Sequence, residues 1–268
     1  MASFSVVSNV AASNALSNLN RSQAGLNTAL QRLSSGLRIN MSGDDAAGLA
    51  VANDYQTDIQ IFNQGIRNAN DGLSTLQIKD ASLSNVQSLL NRMATLATQS
   101  ASGGTTDQSR LTLDQEFQAI LQEIQRESNV AGTAAISGFS VFVSTGGADG
   151  SVGGTISAVT TTTLGINGLS LTGQAQAFTA IAALTTAVTS LGRVQGTIGT
   201  LENRLQFAVS LAESQVTANR AAESRIRDAN VAEEAANLTR LNILNQAGIA
   251  ALGQANQRAS SVLSLLRG

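Results

Sequence analysis

The chain has 268 residues, a formal net charge of −2 and a pI near 5.2, and this balance argues against nucleic-acid binding, which normally needs a basic surface. Cysteine and histidine are absent, so disulfide bonds, thiol nucleophiles and the usual zinc ligands are excluded and no cofactor is expected. Proline is absent as well, and no residue therefore interrupts a helix by lacking an amide donor.

Residues 4–38 carry the pattern of an amphipathic helix. Their leucines recur at steps of three, four or seven residues, which places them on one helix face: Leu16, Leu19, Leu26, Leu30, Leu33 and Leu37. The charged residues of this stretch are Arg21, Arg32 and Arg38. A helix with so little charge is poorly solvated alone, so the pattern predicts packing against a partner.

A short link follows this helix and precedes a second one. Gly36 offers a flexible backbone position, and Ser42 lies three residues before Asp45, as the start of a capping box requires. Asp44 and Asp45 are adjacent, and adjacent residues at a helix start do not converge on one substrate. We therefore interpret them as helix N-terminal carboxylates favoured by the macrodipole, and the link as a hinge.

A second helix is predicted from residue 44 to about residue 100, roughly 85 Å long at 1.5 Å per residue. Gly103 and Gly104 mark its end. A third helix is predicted from about 108 to 128, with Phe117 and Ile124 on its apolar side.

Residues 132–173 are rich in Gly, Thr, Ser and Val, and their only charged residue is Asp149. Three short β-branched or apolar runs, at 139–143, 155–159 and 169–171, are predicted to form strands of a small hairpin element. The glycine cluster at 146–154 lacks the Lys-Ser/Thr ending of a phosphate loop, so it is not interpreted as a nucleotide site.

Helical periodicity returns near Gln176 and persists at an average spacing of 3.5 residues to Val216, which favours coiled-coil packing. A last helix is predicted over about 233–267, with Glu233 and Glu234 in its first turn. It is apolar on more than one face, with leucines and valine that include Leu238, Leu241, Leu252, Val262 and Leu266. A helix of this kind must be buried, although it lies at a chain end.

These elements predict a mainly α fold, in which a long antiparallel helical hairpin or coiled-coil bundle is built from both chain ends and carries a small β-hairpin element from the middle of the chain. One pair of such terminal helices still exposes an apolar stripe, which marks association in a soluble protein. We therefore predict a homo-oligomer of many copies. The pattern does not choose between a closed ring and an open helical filament.

The chain contains no run of about 18 apolar residues, so no membrane insertion is predicted. The first twenty residues contain no Lys or Arg, so a cleaved signal peptide is not predicted either. An extracellular location would need an export route without cleavage or an anchor.

The link between the first two helices resembles the signature of bacterial flagellins. The residues that carry this resemblance are Ser34, Gly36, Arg38, Asn40, Asp44, Asp45 and Gly48. Further similarity lies at 67–72, 121–126, 224–228 and 246–267, so the resemblance covers about 1–130 and 165–268. The resemblance implies a short flagellin without large variable outer domains.

The resemblance also implies how the chain works. Residues 1–43 and 225–268 would form inner-tube helices of a filament, and 44–224 an outer-tube domain with its β-rich element at about 132–173. The expected function is a structural subunit for motility that polymerises outside the cell after type III export without a cleaved signal. Expected partners are other copies, an export chaperone, a filament cap and hook-junction proteins.

Flagellins are also recognised by a host Toll-like receptor. The family positions for this contact align with Arg92, Leu96 and Glu116, whereas Ala94 and Thr95 depart from the residues of strong agonists. We expect recognition that is retained but weakened.

Two other functions remain open at this point. A hook-filament junction protein shares the helical plan of both ends, and a secreted adhesive coiled-coil protein could display the β element. An enzyme is the weakest hypothesis, because no group of residues supports one.

Overall fold

The computed structural model describes residues 9–135, 137–146 and 150–267, with side chains described as far as residue 258. It contains α1 (Val10–Ser35), α2 (Ala46–Ala101), α3 (Asp107–Val130), β1 (Ser137–Phe142), β2 (Ser151–Ile156), α4 (Gln174–Arg227) and α5 (Val231–Arg267). The mainly α fold with a small antiparallel hairpin in the middle of the chain is thereby confirmed. Helices α2, α3 and α5 begin and end within two residues of the predicted positions. The predicted start of the first helix at residue 4 lies outside the described residues, and α4 continues past Val216 to Arg227.

The chain forms two compact units. The terminal unit comprises Met1–Thr57 and Asn219–Gly268, and the central unit comprises Asp58–Ala218. The hydrophobic core of the central unit begins at Ile59 and ends at Val216. The division into inner-tube and outer-tube segments at 43/44 and 224/225 stays a prediction.

The central unit has a continuous hydrophobic core. It contains buried side chains of α2, α3 and α4 at three- and four-residue spacings, among them Leu83, Leu90, Phe117, Ile124, Leu184, Leu191 and Ile198. The start of α4 lies at the end of α2, since Gln174 Nε2 donates to the Ala101 carbonyl at 2.9 Å. Gly72, which is earlier in α2, lies against Leu205, which is later in α4. Helices α2 and α4 therefore run antiparallel, as the sequence predicts.

The hairpin packs on α2 at two glycines. β1 pairs with β2 in the register Ser137↔Ile156 to Phe142↔Ser151. A Cβ atom on Gly65 would lie 2.1 Å from the Val143 carbonyl oxygen, and one on Gly72 would lie 2.7 Å from Val141 Cγ2. Only a residue without a side chain permits this approach of the hairpin to the helix.

The predicted strand positions needed two corrections. The second strand covers 151–156 rather than 155–159, and residues 169–171 form no strand. At Leu171, side chains take the place of a neighbouring strand: the Leu171 amide donates to Asp114 Oδ1 at 2.6 Å, and its carbonyl accepts from Ser100 Oγ at 2.8 Å. The buried Leu171 side chain explains the apolar pattern that suggested a strand.

In the terminal unit, α1 and α5 pack against each other in antiparallel orientation. Three hydrogen bonds follow one another along the pair. Asn9 Nδ2 donates to the Ala255 carbonyl at 3.1 Å, Asn245 Nδ2 to Gln23 Oε1 at 2.5 Å, and Arg32 Nη1 to Glu234 Oε1 at 3.2 Å. As the residue number rises in α1, that of its partner in α5 falls.

By length and composition alone, helix α4 is long and apolar enough to cross a membrane. No such stretch is predicted from the sequence. A core helix of a soluble protein passes the same test. The apolar residues of α4 recur at three- and four-residue steps from Ala177 to Val216. They pack in the core of the central unit, which explains the apolar composition of this helix.

Candidate functional site

The pair of terminal helices has almost no core of its own. Among the residues with described side chains, Ala29 is the buried residue of α1, and Glu234 is the buried residue of α5. The central unit, in contrast, encloses a large hydrophobic cluster. Two paired helices of this length cannot cover their apolar side chains with each other alone.

The leucines predicted to pack between subunits divide into two groups. Leu19 and Leu241 face the partner helix of the same chain. A Cβ atom added to Gly248 would lie 3.2 Å from Leu19 Cδ1, and one added to Gly25 would lie 3.3 Å from Leu241 Cδ2. Leu16 and Leu30 are exposed. The remaining predicted leucines of the two helices are half-buried: Leu26, Leu33, Leu238 and Leu252. The side chains of Val262 and Leu266 lie outside the described residues.

Further apolar side chains of this pair face outward. Val10 in α1, and Ile243 and Ile249 in α5, have 62%, 61% and 57% of their surface exposed. Leu244 is exposed beside Ile243. Together with Leu16 and Leu30, they form what we call the terminal apolar surface. Apolar side chains left exposed on a helix pair with so little core of its own favour association between copies.

Helix α1 ends earlier than the leucine pattern predicts. Gly36 adopts a left-handed φ of 72°, and its amide donates to the Arg32 carbonyl at 2.9 Å, which closes the helix at Ser35. This is a common glycine C-terminal stop. Leu37 is therefore not on the helix, contrary to prediction; it forms an isolated antiparallel bridge with Asp228.

The residues that follow Gly36 meet the link between α4 and α5, and we call this meeting point the junction (residues 36–45 and 226–230). The Arg38 amide donates to the Arg227 carbonyl at 2.7 Å, and Arg38 Nη2 donates to the Ile226 carbonyl at 2.7 Å. The Ala229 amide donates to the Gly36 carbonyl at 2.9 Å. Arg38 thus satisfies carbonyl groups at the C-terminal end of α4, where a cation is favoured by the helix dipole.

Asp44 closes the loop within the junction. Its Oδ2 accepts hydrogen bonds from the amides of Asn40 and Met41, each at 3.1 Å. These two hydrogen bonds lower the pKa of the Asp44 carboxyl below its ordinary value, and Arg32, 3.9 Å away, adds to the effect. A carboxylate that accepts backbone amides is stabilised in its charged form.

Asp45 caps α2, and this corrects the predicted capping box. Its Oδ1 accepts from the Gly48 amide at 2.9 Å, and its carbonyl accepts from the Leu49 amide at 3.0 Å. The helix begins at Ala46, so Asp45 is the N-cap and Ser42 lies outside the helix. A Cβ atom on Gly48 would lie 2.5 Å from Asp45 Oδ2, which explains why glycine suits that position. The exposed Ser34 lies in the last turn of α1.

The acidic pair Glu233–Glu234 lies in the first turn of α5, as predicted. Asn230 caps this helix, with Oδ1 accepting from the Ala232 amide at 3.2 Å. The helix therefore begins at Val231, two residues earlier than predicted. Asp45, Glu233 and Glu234 thus lie at helix starts as predicted, whereas Asp44 binds amides of the junction loop instead. No group of three acidic side chains among the described residues could hold a metal ion.

Arg110 is a structural residue that the sequence analysis missed. Only 9% exposed, it donates to the carbonyls of Ser100 and Ser102, each at 3.0 Å, and to Asp107 Oδ1 at 3.2 Å. It covers carbonyls at the end of α2 that have no partner within the helix. The sequence offered one signal for this role: Arg110 lies in the first turn of the helix that follows the Gly103–Gly104 loop.

The three predicted receptor-contact residues do not share one surface. Arg92 on α2 and Glu116 on α3 form an exposed ion pair with Nη2–Oε1 at 2.6 Å. Leu96 is 2% exposed and belongs to the core. Arg92 and Glu116 are accessible, whereas Leu96 is buried, and the receptor contact itself stays a prediction.

A helical chain with a well-packed central unit and a coreless pair of terminal helices defines a self-associating structural protein. Comparison with known families agrees with this class. Residues 6–146 match the bacterial flagellin N-terminal helical region, and residues 181–266 match the bacterial flagellin C-terminal helical region. The chain belongs to the bacterial flagellin family.

Several relatives match over nearly their whole length. A flagellin of Halalkalibacterium halodurans is 35% identical, with 93% of each chain covered, and a flagellin of Bacillus subtilis is 30% identical, with 97% of this chain and 98% of the relative covered. Flagellin FlaB2 of Treponema pallidum is 33% identical over 89% and 91%. The crystal structure of Bacillus cereus flagellin matches with a TM-score of 0.49 and 27% identity, covering 54% of this chain and 88% of that chain.

Proposed function

We propose that this chain is the repeating structural subunit of a bacterial flagellar filament and serves motility. The observation that carries the proposal is the terminal apolar surface on a helix pair in which Ala29 and Glu234 are the buried residues with described side chains. The relatives named flagellin or flagellar filament core protein support the same function.

Association of copies through the terminal helices is physically favourable. Full burial of a leucine or isoleucine side chain stabilises by about 1.5–3 kcal/mol. The exposed members of the terminal apolar surface would together supply enough free energy to offset the cost of ordering and association. We propose that residues 1–43 and 225–268 line the inner part of the polymer, and that 44–224 form its outer part.

Membership of the family supports a proposal about the location and further partners of the chain. We propose that the chain is exported without a cleaved signal and is incorporated outside the cell. An export chaperone, a filament cap and hook-junction proteins would be its partners on this route.

Electron microscopy of the purified protein tests the proposal. We expect long filaments from the full chain, and soluble monomers from variants that lack residues 1–40 or 230–268. Absence of filaments from the full chain would favour the junction protein. A surface ligand that still binds after removal of the terminal helices would favour the adhesive protein.

We also propose that a host Toll-like receptor contacts the central unit at Arg92 and Glu116. Both side chains are accessible, at 55% and 43% exposure. In a cell reporter assay, Arg92→Ala should lower the signal. Arg126→Ala is the matched control, because Arg126 is also an exposed, ion-paired arginine at 57% exposure. No signal from the unchanged protein, or equal signals from both variants, would contradict the proposal.

A further inference from the structure

The segment between β2 and α4 contains an exposed asparagine–glycine turn. Asn167 and Gly168 are both exposed, and Gly168 has a left-handed φ of 74°. A Cβ atom on Gly168 would meet no atom within 4 Å, so the backbone at this turn is open to solvent. In the sequence, Asn167 is the one asparagine that a glycine follows.

The flanks of this turn are held by hydrogen bonds, whereas its own reactive groups are free. The Asn167 amide donates to the Thr161 carbonyl at 3.1 Å, and Gln118 Nε2 donates to the Leu169 carbonyl at 2.8 Å. Neither the Asn167 side chain nor the Gly168 amide makes a hydrogen bond within the described part of the chain. The side-chain carbonyl carbon of Asn167 and the Gly168 nitrogen are therefore both available for a reaction with each other.

An asparagine before a glycine can deamidate by an intramolecular reaction. The two groups are held close along the chain, and glycine has no side chain that obstructs the attack. The Gly168 nitrogen loses its proton and bonds to Asn167 Cγ, the Cγ–Nδ2 bond breaks, and Nδ2 leaves as ammonia with that proton. Water then opens the cyclic imide at one of its two carbonyls. The product is aspartate or isoaspartate at position 167, without an oxidant or a cofactor.

We propose that Asn167–Gly168 is a site of spontaneous deamidation, and that its isoaspartate product loosens the segment between β2 and α4. Each conversion adds one negative charge to the formal net charge of −2. Residues 150–173 contain no charged residue, so the new carboxylate is the first charge of this segment. The proposal concerns the chemistry of the single chain and does not rest on the filament function.

Asn40 provides an internal control in the same molecule. It is also exposed and lies in a loop, but Met41 follows it. The side chain of Met41 hinders attack, and the Met41 amide donates to Asp44 Oδ2 at 3.1 Å. The nitrogen that would attack Asn40 is therefore engaged, and we expect Asn40 to remain unchanged.

Mass spectrometry of digests tests the proposal at each position separately. The full chain is incubated in solution at mildly alkaline pH and sampled over time. Conversion of amide to acid should be faster at Asn167 than at Asn40 by about tenfold or more. The Asn167→Gln variant keeps an amide but would need a larger ring, which closes more slowly, so it should show almost no conversion at this position. Equal rates at Asn167 and Asn40, or undiminished conversion in Asn167→Gln, would overturn the proposal.

The same measurement on the unfolded chain in guanidinium shows whether the fold leaves the turn open. Because both reactive groups are free in the folded protein, the native rate at Asn167 should lie within about tenfold of the unfolded rate. A native rate below about one hundredth of the unfolded rate would mean that the fold protects Asn167, and the proposal would then be wrong.

The isoaspartate product has a second, structural readout. It adds a methylene group to the backbone between the buried Ile166 and the buried Leu171, whose amide donates to Asp114 Oδ1 at 2.6 Å. We expect the Leu171 amide to exchange with solvent faster in the isoaspartate fraction than in the unchanged protein. Asn167→Asp carries the same charge on an ordinary backbone and should leave this exchange unchanged. Equal exchange in the isoaspartate fraction and the unchanged protein would contradict the inferred loosening.

Discussion

Asp44 and Asp45 are adjacent but stabilise different parts of the chain. Asp44 holds the junction loop through the amides of Asn40 and Met41, whereas Asp45 caps α2. The amides that bind Asp44 therefore differ from the amide that binds Asp45. At the scale of single residues, the signature of this chain is therefore a set of backbone contacts rather than a chemical centre.

The junction loop should open in acid. The pKa of Asp44 is lower in the folded state than its ordinary value. The ionised carboxylate therefore stabilises the loop fully at any pH above that ordinary pKa. This stabilisation is lost as the pH falls through the lowered folded-state pKa. By NMR, we expect the amide protons of Asn40 and Met41 to shift with a midpoint below 3.8, the ordinary value for aspartate.

Asp44→Asn should abolish this titration at both amides. Asp54→Asn is the control, since Asp54 is exposed and its side chain has no hydrogen bond in the described part of the chain. A midpoint above 3.8 in the unchanged protein, or titration that persists in Asp44→Asn, would show that another group controls the loop.

Arg110 should matter more to stability than any exposed arginine. Arg110→Ala removes a nearly buried charged donor and leaves the carbonyls of Ser100 and Ser102 without it. We expect a loss of about 2–3 kcal/mol in the free energy of unfolding, measured with urea. Arg126→Ala, which removes an exposed pair within α3, should cost no more than about 0.5 kcal/mol. Equal losses would contradict the role of Arg110 at the end of α2.

At the scale of elements, the two glycines of α2 decide where the hairpin can lie. Gly65→Ala would place a methyl group 2.1 Å from the Val143 carbonyl oxygen, so the hairpin must shift. We expect a loss of about 2 kcal/mol or more in the free energy of unfolding. Gly196→Ala on α4 meets no atom within 4 Å and should instead stabilise by about 0.5–1 kcal/mol. Thermal unfolding of both variants tests the contrast. A Gly65→Ala variant that is as stable as the unchanged protein would contradict the packing of the hairpin against Gly65.

The helices could be predicted because periodicity extends over many turns, and each boundary then depends on one residue. The leucine spacing continued past Ser35, so it concealed the stop that the left-handed Gly36 imposes. The supposed strand at 169–171 failed for another reason. Its alternation reflects one buried leucine, Leu171. The backbone of Leu171 bonds to Asp114 and Ser100, which lie 57 and 71 residues earlier in the sequence. Contacts of this kind leave no local pattern.

The candidate sites divide in the same way. The signature of the junction was visible in the sequence, because its loop is short and its partners include neighbours such as Asn40 and Asp44. The burial of Leu96 was not recognised, because alignment with a family says which residues correspond and not which face of α2 each occupies.

At the scale of the whole molecule, the two units satisfy their apolar residues differently. The central unit packs its apolar side chains into its own core. The terminal unit leaves Leu16, Ile243 and Ile249 exposed. A chain built in this way is incomplete as a single copy, and the missing contacts must come from neighbouring copies.

Hydrogen exchange of one preparation, measured as monomer and as polymer, tests this claim most directly. We expect amides of α1 and α5 to exchange at least about tenfold more slowly in the polymer, because burial between copies stabilises these helices. Amides around Leu83, Leu90 and Ile124 in the core of the central unit should change little. Terminal helices that are as protected in the monomer as in the polymer, or a chain that stays monomeric at high concentration, would contradict the account.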